Sequence, residues 1–177
     1  SLAFSPASDR LAIASAETER GPTWIEVWDL SARRQIASWR SEVVPLLWQT
    51  HLYWPAPGPH LALAGIMPIT PESAQVVIQG WAPASGDALW QVELPSQVPV
   101  TEELWLPAGV SPGERLLAVC AFDPEDTGTL YFVDLARGLE LGATWRIPGI
   151  SVDLAFEAEG SILARSPYTP GEEEEIP

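Results

Sequence analysis

The sequence predicts an all-β protein built from a four-stranded unit that recurs along the chain. Short apolar segments recur with a period of about 50 residues, which indicates a repeat architecture. These segments are rich in β-branched and aromatic residues, the types that favour strands. The 18 prolines among 177 residues would interrupt long helices and separate many short elements.

The first strand of the unit is marked by a leucine that recurs four times. Leu2, Leu52, Leu104 and Leu154 are separated by 50, 52 and 50 residues, and an aromatic residue follows each within two positions. We therefore expect a short strand at each leucine, with residues 104–107 as the first strand of the third unit.

Three further strands are predicted in each complete unit. The second strands are continuous apolar runs, typical of strands buried on both faces, and they cover residues 11–15, 61–65, 117–121 and 162–164. The third strands, which are mostly β-branched and aromatic, cover residues 24–30, 76–81 and 130–135. The fourth strands end on Trp39, Trp90 and Trp145.

The tryptophans on the fourth strands help to decide between strand and helix. Ile36, Trp39 and Val43 have helix-like spacing, which makes a helix over 32–44 the main local alternative. We favour a strand, because Trp90 and Trp145 are expected to occupy the same place in segments with poor helical periodicity. The other notable tryptophans, at 24, 48 and 81, share no clear repeat position.

Sheets with two apolar faces must stack on one another, and radial stacking gives a β-propeller. About three and a half four-stranded antiparallel blades are predicted, over residues 1–47, 48–98, 99–148 and an incomplete 149–177. Propellers close with about 4–8 blades. Either the natural chain continues or two copies close one ring, and we favour the first. Open blade edges also predict self-association.

The motifs resemble those of WD-repeat β-propellers in their order along the chain. The matches are Ala-Phe-Ser-Pro at 3–6, Val-Trp-Asp-Leu at 27–30 and Val-Asp-Leu at 133–135. The Gly-His pair of that family is absent, since neither His51 nor His60 follows glycine. The period also exceeds the family's roughly 40–45 residues. The resemblance implies a non-catalytic scaffold that binds other proteins.

Charge and composition limit the classes of partner. The formal net charge of −15 argues against nucleic acid and anionic membranes as partners. A basic protein partner or solubility alone would suit it, and we favour solubility. The uncharged stretch 43–71 contains six prolines and is not predicted to span a membrane. Cys120, the single cysteine, should be a buried apolar residue. The compartment stays open, with the cytoplasm favoured.

One pattern resembles a catalytic motif. Gly-Val-Ser-Pro-Gly at 109–113 matches the nucleophile elbow, in which a strand leads into a helix. An apolar strand follows instead, so we interpret Ser111 as part of a strand-to-strand turn. The acidic loop 123–128 offers oxygen ligands and a turn glycine, as a calcium loop does, but it lacks the downstream bidentate glutamate of a calcium site. The run of four glutamates at 172–175 is expected to be a solvated loop. No catalytic residue, cofactor or metal is predicted.

The loops between the second and third strands are the predicted interaction surface. They occupy the same position in every blade and should lie together at one end, where loops supply specificity. The candidate partner-binding residues are Glu17, Glu19, Arg20, Ile69, Glu72, Asp123, Glu125 and Asp126.

Two alternative functions stay open. The chain could be an enzyme, or a module that binds carbohydrate or another small ligand, with a site in the central channel. Glu102, Glu103 and Asp153 flank the first strands and could contribute to such a site. It could also be a purely structural spacer.

Overall fold

A computed structural model describes residues 1–16, 18, 21–43, 51–55, 60–99, 108–112, 115–122, 127–148, 153–157 and 162–165. Within these ranges every regular element is a β-strand, which confirms the all-β prediction. The segment proposed as an alternative helix contains the strand Arg34–Ser41, so the strand interpretation is confirmed there as well.

The strands form three complete antiparallel sheets and one pair, each with its strands in chain order. The first blade consists of β1 (Leu2–Phe4), β2 (Arg10–Ala16), β3 (Thr23–Asp29) and β4 (Arg34–Ser41). The second consists of β5 (His51–Tyr53), β6 (Leu61–Pro68), β7 (Ser73–Trp81) and β8 (Ala88–Pro99). The third consists of β9 (Ala108–Val110), β10 (Leu116–Phe122), β11 (Thr127–Asp134) and β12 (Leu139–Pro148). The fourth-blade pair consists of β13 (Asp153–Phe156) and β14 (Ile162–Arg165).

Consecutive sheets stack face to face. Since alternate residues of each strand point to opposite faces of the sheet, one set of side chains packs on the preceding blade and the other set on the following blade. Ile25 and Val27 of the first blade pack against Leu61 and Leu63 of the second. The opposite side of the second blade, which includes Ile78, packs against the third blade. The third blade packs in turn against the fourth-blade pair. We call the side of a blade that faces the next blade its forward face, and the other side its rear face.

The stack is radial and therefore forms an arc of a β-propeller. First strands of neighbouring blades contact each other, as β1 contacts β5 and β9 contacts β13. Farther out, β8 contacts β10 and β12 of the following blade. Polar contacts also join blades: the Ser41 hydroxyl donates a hydrogen bond to Gln79 Oε1 across 3.3 Å. Across the described residues, the predicted stack of four-stranded antiparallel blades is confirmed.

The first strand of the third blade does not lie where the recurring leucine placed it. Ala108 pairs with Val119 in the third blade, just as Leu2 pairs with Ile13 in the first. Ala108–Val110 therefore takes the place predicted for residues 104–107, and that prediction is wrong. The Ala-Gly-Val strand carries little apolar signal because it must be small. A Cβ on Gly109 would approach the Leu154 backbone oxygen to 3.1 Å.

Two predictions about tryptophans also need correction. Leu61 pairs with Trp81 as Leu11 pairs with Trp28, so Trp81 does share a repeat position. Trp39 and Trp145 oppose Ile25 and Leu130, equivalent residues of their third strands, whereas Trp90 opposes Gly80, two residues closer to the turn. In every complete blade the pairing between the third and fourth strands contains a register shift, which allows the tryptophan to lie at a different position along the strand.

Candidate interaction surfaces

The loop between β6 and β7 is held in a fixed shape by its own hydrogen bonds. The Thr70 hydroxyl oxygen accepts the backbone N–H groups of Glu72 and Ser73, at 3.2 and 3.0 Å. The N–H groups of Ile69 and Thr70 both donate to the Ser73 carbonyl, at 3.0 and 3.1 Å. Such side-chain-to-backbone bonds define a local turn. The loop thereby presents Ile69, which is 51% exposed, and Glu72 to solvent.

The other six predicted partner-binding residues lie outside the described residues. They are Glu17, Glu19, Arg20, Asp123, Glu125 and Asp126. The strands that flank them are described: β2 ends at Ala16 and β10 ends at Phe122. Both strand ends are equivalent to the end of β6, because second and third strands are antiparallel neighbours in every blade. That the three loops act together stays a prediction.

The opposite end of the blades carries tight turns between first and second strands, and the Ser111 motif forms one of them. The Ser111 hydroxyl oxygen accepts the N–H of Leu116 at 2.9 Å. Ser5 accepts the N–H of Arg10 in the same way, at 3.0 Å. Since β9 leads through Ser111 into strand β10, the interpretation as a strand-to-strand turn is confirmed. The hydroxyl has a structural role at this position.

At the same end, aspartates close the turns between third and fourth strands. Asp29 Oδ1 accepts the N–H of Ala32 at 2.8 Å and the Ser31 hydroxyl at 2.7 Å. These bonds, the one from Ala32 first, hold the pKa of Asp29 below its ordinary value of 3.8. Asp134 Oδ1 caps the third-blade turn by accepting the N–H of Ala136 at 3.0 Å. This repeated cap explains the aspartate shared by the motifs at 27–30 and 133–135.

His60 links the second and third blades. Its Nε2 lies 2.6 Å from the Leu135 carbonyl oxygen, inside the protein. Since a carbonyl carries no proton, Nε2 must be the donor in this bond. The ring also meets Trp90 edge-on, with centroids 5.8 Å apart. His60 is therefore a structural residue of the blade interface.

Cys120 is fully buried where the third blade meets the fourth-blade pair. Burial raises the pKa of its thiol to about 12, because the thiolate would lose its hydration. The thiol is therefore protonated at neutral pH and is a poor nucleophile. The prediction of a small buried apolar residue is confirmed.

A contact that the sequence analysis missed recurs between blades. The ring of Trp39 lies on Gly86, in the turn that precedes β8, and the ring of Trp90 lies on Gly138, in the turn that precedes β12. Each glycine donates its N–H to the residue four positions earlier, at 2.8 and 2.9 Å. The sequence signal would have been the glycine four positions after Ala82 or Asp134 in the turn between the third and fourth strands. Its contact with a tryptophan can be recognised only when the position of the neighbouring blade is known.

Neither a metal site nor a membrane-spanning helix is found in the described part of the chain. No group of three or more His, Cys, Asp or Glu side chains in these ranges could hold a metal ion. No helix within them is long and apolar enough to cross a membrane. Glu102 and Glu103, considered for a central-channel site, lie outside these ranges, and Asp153 begins β13.

Comparison with known proteins supports the fold and does not assign a function. The sequence matches no protein-family model and no curated protein. Hydrazine synthase from Kuenenia stuttgartiensis matches 93% of this chain and 57% of its own, with a TM-score of 0.56 and 12% identity. This likeness is one of fold alone.

Two further solved structures are similar over 93% of this chain. TolB from Acinetobacter baumannii is matched over 36% of its chain, with a TM-score of 0.48 and 18% identity. The β-propeller domain of the trilobed protease from Pyrococcus furiosus is matched over 62% of its chain, with a TM-score of 0.42 and 12% identity. The present chain thus spans less than two thirds of each of these three structures.

Proposed function

We propose that this chain is a non-catalytic, WD-repeat-like scaffold whose loops between second and third strands bind a partner protein. The observation that carries the proposal is the β6–β7 loop, in which backbone N–H groups donate to the Thr70 hydroxyl oxygen and hold the turn that exposes an apolar side chain, Ile69, to solvent. A rigid loop loses little conformational entropy when a partner binds. An exposed apolar side chain can fill a pocket on that partner.

The charges of the three loops suggest the chemistry of the partner. Of the eight candidate residues, six are acidic and only Arg20 is basic. In the proposed site, these acidic residues and Ile69 would complement a partner surface whose apolar pocket is surrounded by lysine or arginine. Such complementarity raises association rates more than it raises final affinity, and salt screens it. Partner association should therefore slow as ionic strength rises.

The described loop allows a matched pair of variants. Ile69→Ala with Glu72→Ala removes the anchor and one acidic residue. Arg33→Ala with Glu157→Ala changes two exposed residues in turns at the opposite end of the blades. Partners cross-linked in source-cell lysate and quantified by mass spectrometry should be depleted with the first variant and retained with the second. Equal retention by both variants would contradict the proposal.

A broader variant tests the whole surface. Alanine at all eight candidate residues should abolish partner binding if the three loops act as one site, and binding that survives would contradict the proposal.

Thermal stabilisation separates the scaffold from the small-ligand alternative, because only a species that binds the folded chain raises its melting temperature. Stabilisation by the captured partner supports the scaffold. Stabilisation by sugars or other small molecules would favour a central-channel site.

A further inference from the structure

Two arginines of the third blade converge on one buried carboxylate, at the end of the blades that carries the tight turns. Asp134 is buried, and its Oδ1 accepts the backbone N–H groups of Ala136 and Arg137 at 3.0 and 3.2 Å. Its Oδ2 lies 3.3 Å from Arg115 Nη2 and 3.8 Å from Arg137 Nε. The two arginine side chains remain 60% and 68% exposed. Because a guanidinium carries five N–H donors, most of these donors are open to a ligand within the described part of the chain.

The turn does not need either arginine. In the first blade Asp29 forms the same cap by accepting the N–H of Ala32 at 2.8 Å, and Ala32 stands where the third blade has Arg137. Asp9 stands in the place of Arg115, because both carbonyls accept the N–H of the residue that follows the third strand, at 2.9 and 2.8 Å. Ion pairs of exposed side chains also contribute little to stability. The arginine pair is therefore better explained by a ligand than by the fold.

The charges of this cluster define the ligand. Its two guanidiniums and the Asp134 carboxylate leave one positive charge in excess among the described residues, and Glu114, the residue before Arg115, lies outside them. One carboxylate would neutralise this excess, whereas a phosphate group carries a charge of about −1.5 to −2. A guanidinium also matches a carboxylate through two parallel N–H···O bonds, and every basic residue of this chain is an arginine.

We propose that Arg115 and Arg137 form a docking site for an aspartate or glutamate side chain in an acidic segment of a partner protein. The incoming carboxylate would accept hydrogen bonds from both guanidiniums, while Asp134 holds the two arginines next to each other. The site lies at the opposite end of the blades from the loops between second and third strands. It would therefore serve a second, acidic partner, and the inference does not depend on the function proposed for those loops.

The net charge of −15 does not prevent an acidic segment from docking here. Strand β10 has seven residues, so about 23 Å of strand separates this site from the end that carries the acidic loops. The Debye length is about 8 Å at physiological ionic strength, and repulsion from that end is therefore largely screened. The attraction at Arg115 and Arg137 acts over a few ångströms and is screened much less.

A peptide of four consecutive glutamates with both termini capped is the probe, and nuclear magnetic resonance of the full, ¹⁵N-labelled chain detects its binding. The Nε–H signals of Arg115 and Arg137 and the backbone N–H signal of Gly138 should shift saturably, with a Kd of about 1 mM or tighter. Arg115→Gln with Arg137→Gln should weaken binding at least about tenfold, followed at Gly138, because both charge-assisted donors are lost.

Matched controls separate this site from general charge attraction. Arg33→Gln with Arg34→Gln removes the same charge from the equivalent turn of the first blade, where both side chains are exposed, and should leave peptide affinity within about twofold. A peptide of four glutamines should cause no saturable shift. The Arg115 and Arg137 double variant should keep the wild-type melting temperature, since the Asp29 cap forms without these arginines.

Three results would overturn the proposal. They are the absence of a saturable shift with the glutamate peptide, equal loss of affinity in the two double variants, and tighter binding of inorganic phosphate than of the peptide. Should the Arg115 and Arg137 double variant unfold, Arg137→Gln alone replaces it and should weaken peptide binding about threefold or more. Wild-type affinity in that single variant would equally overturn the proposal.

Discussion

The rear faces of the first and second blades have nearly the same side chains and opposite environments. Leu2 and Leu52 occupy equivalent positions, opposite Ile13 and Leu63, yet they are 62% and 5% exposed. Phe4 is 58% exposed, whereas Trp54, which follows β5, is 4% exposed. The first blade covers the second, and no described residue covers the first. Composition thus makes a face suitable for stacking, and the neighbouring blade decides whether it is buried.

The largest predicted difference is in the free energy of unfolding, between variants of the equivalent residues Leu52 and Leu2. Leu52→Ala should lower the free energy of unfolding by about 2–4 kcal/mol, because it removes buried contacts and leaves a cavity. Leu2→Ala should change it by less than about 0.5 kcal/mol. Urea denaturation of the two variants measures both. Equal losses would show that the rear face of the first blade is covered.

A second pair separates backbone strain from the contact with tryptophan. Gly138→Ala should cost about 2–4 kcal/mol, because it combines a left-handed alanine with a clash on Trp90. Gly142 has a φ of 70°, and a Cβ there would meet nothing within 4 Å beyond its chain neighbours, so Gly142→Ala should cost only about 1 kcal/mol. Thermal denaturation gives the difference. Equal costs would mean that Trp90 does not rest on Gly138.

The His60 bridge between blades should have an intermediate effect. His60→Ala removes the hydrogen bond to the Leu135 carbonyl and the edge contact with Trp90. We expect a loss of about 1–3 kcal/mol, because a buried carbonyl loses its donor. Glu157→Ala, an exposed change on the fourth-blade pair, is the control and should be neutral within about 0.5 kcal/mol. A neutral His60→Ala would contradict the bridge.

The smallest expected effect is the pH dependence of the Asp29 cap. The pKa of Asp29 is lowered in the folded state, so the carboxylate stabilises the fold above its unfolded pKa near 3.8. This stabilisation is lost as the pH falls through the lower folded value. Wild type should therefore exceed Asp29→Asn in stability at pH 7, and the gap should close as the pH falls through the lowered folded-state pKa. A gap that is constant with pH would argue against the cap.

The sequence predicts the strand order within blades well, because second and third strands carry strong apolar and β-branched patterns. It fails at Ala108–Val110, where close approach to Leu154 requires small residues that carry no strand signal. It also fails for the register of Trp90, because bulges cannot be located from strand composition. The tryptophan-on-glycine contacts depend on two residues in different blades. The exposure of Leu2, Phe4 and Trp145 depends on neighbours that the repeat pattern does not specify.

Hydroxyl-radical footprinting with mass spectrometry tests the central claim most directly, because oxidation of a side chain reports its contact with solvent. In dilute solution, Phe4 and Trp145 should be oxidised much faster than Trp54 and Trp81, which lie between the first two blades. That result would support stacked blades in which the rear face of the first blade and the outer forward face of the third blade contact solvent. Rapid oxidation of Trp54 and Trp81, or protection of Phe4 equal to that of Trp54, would contradict it.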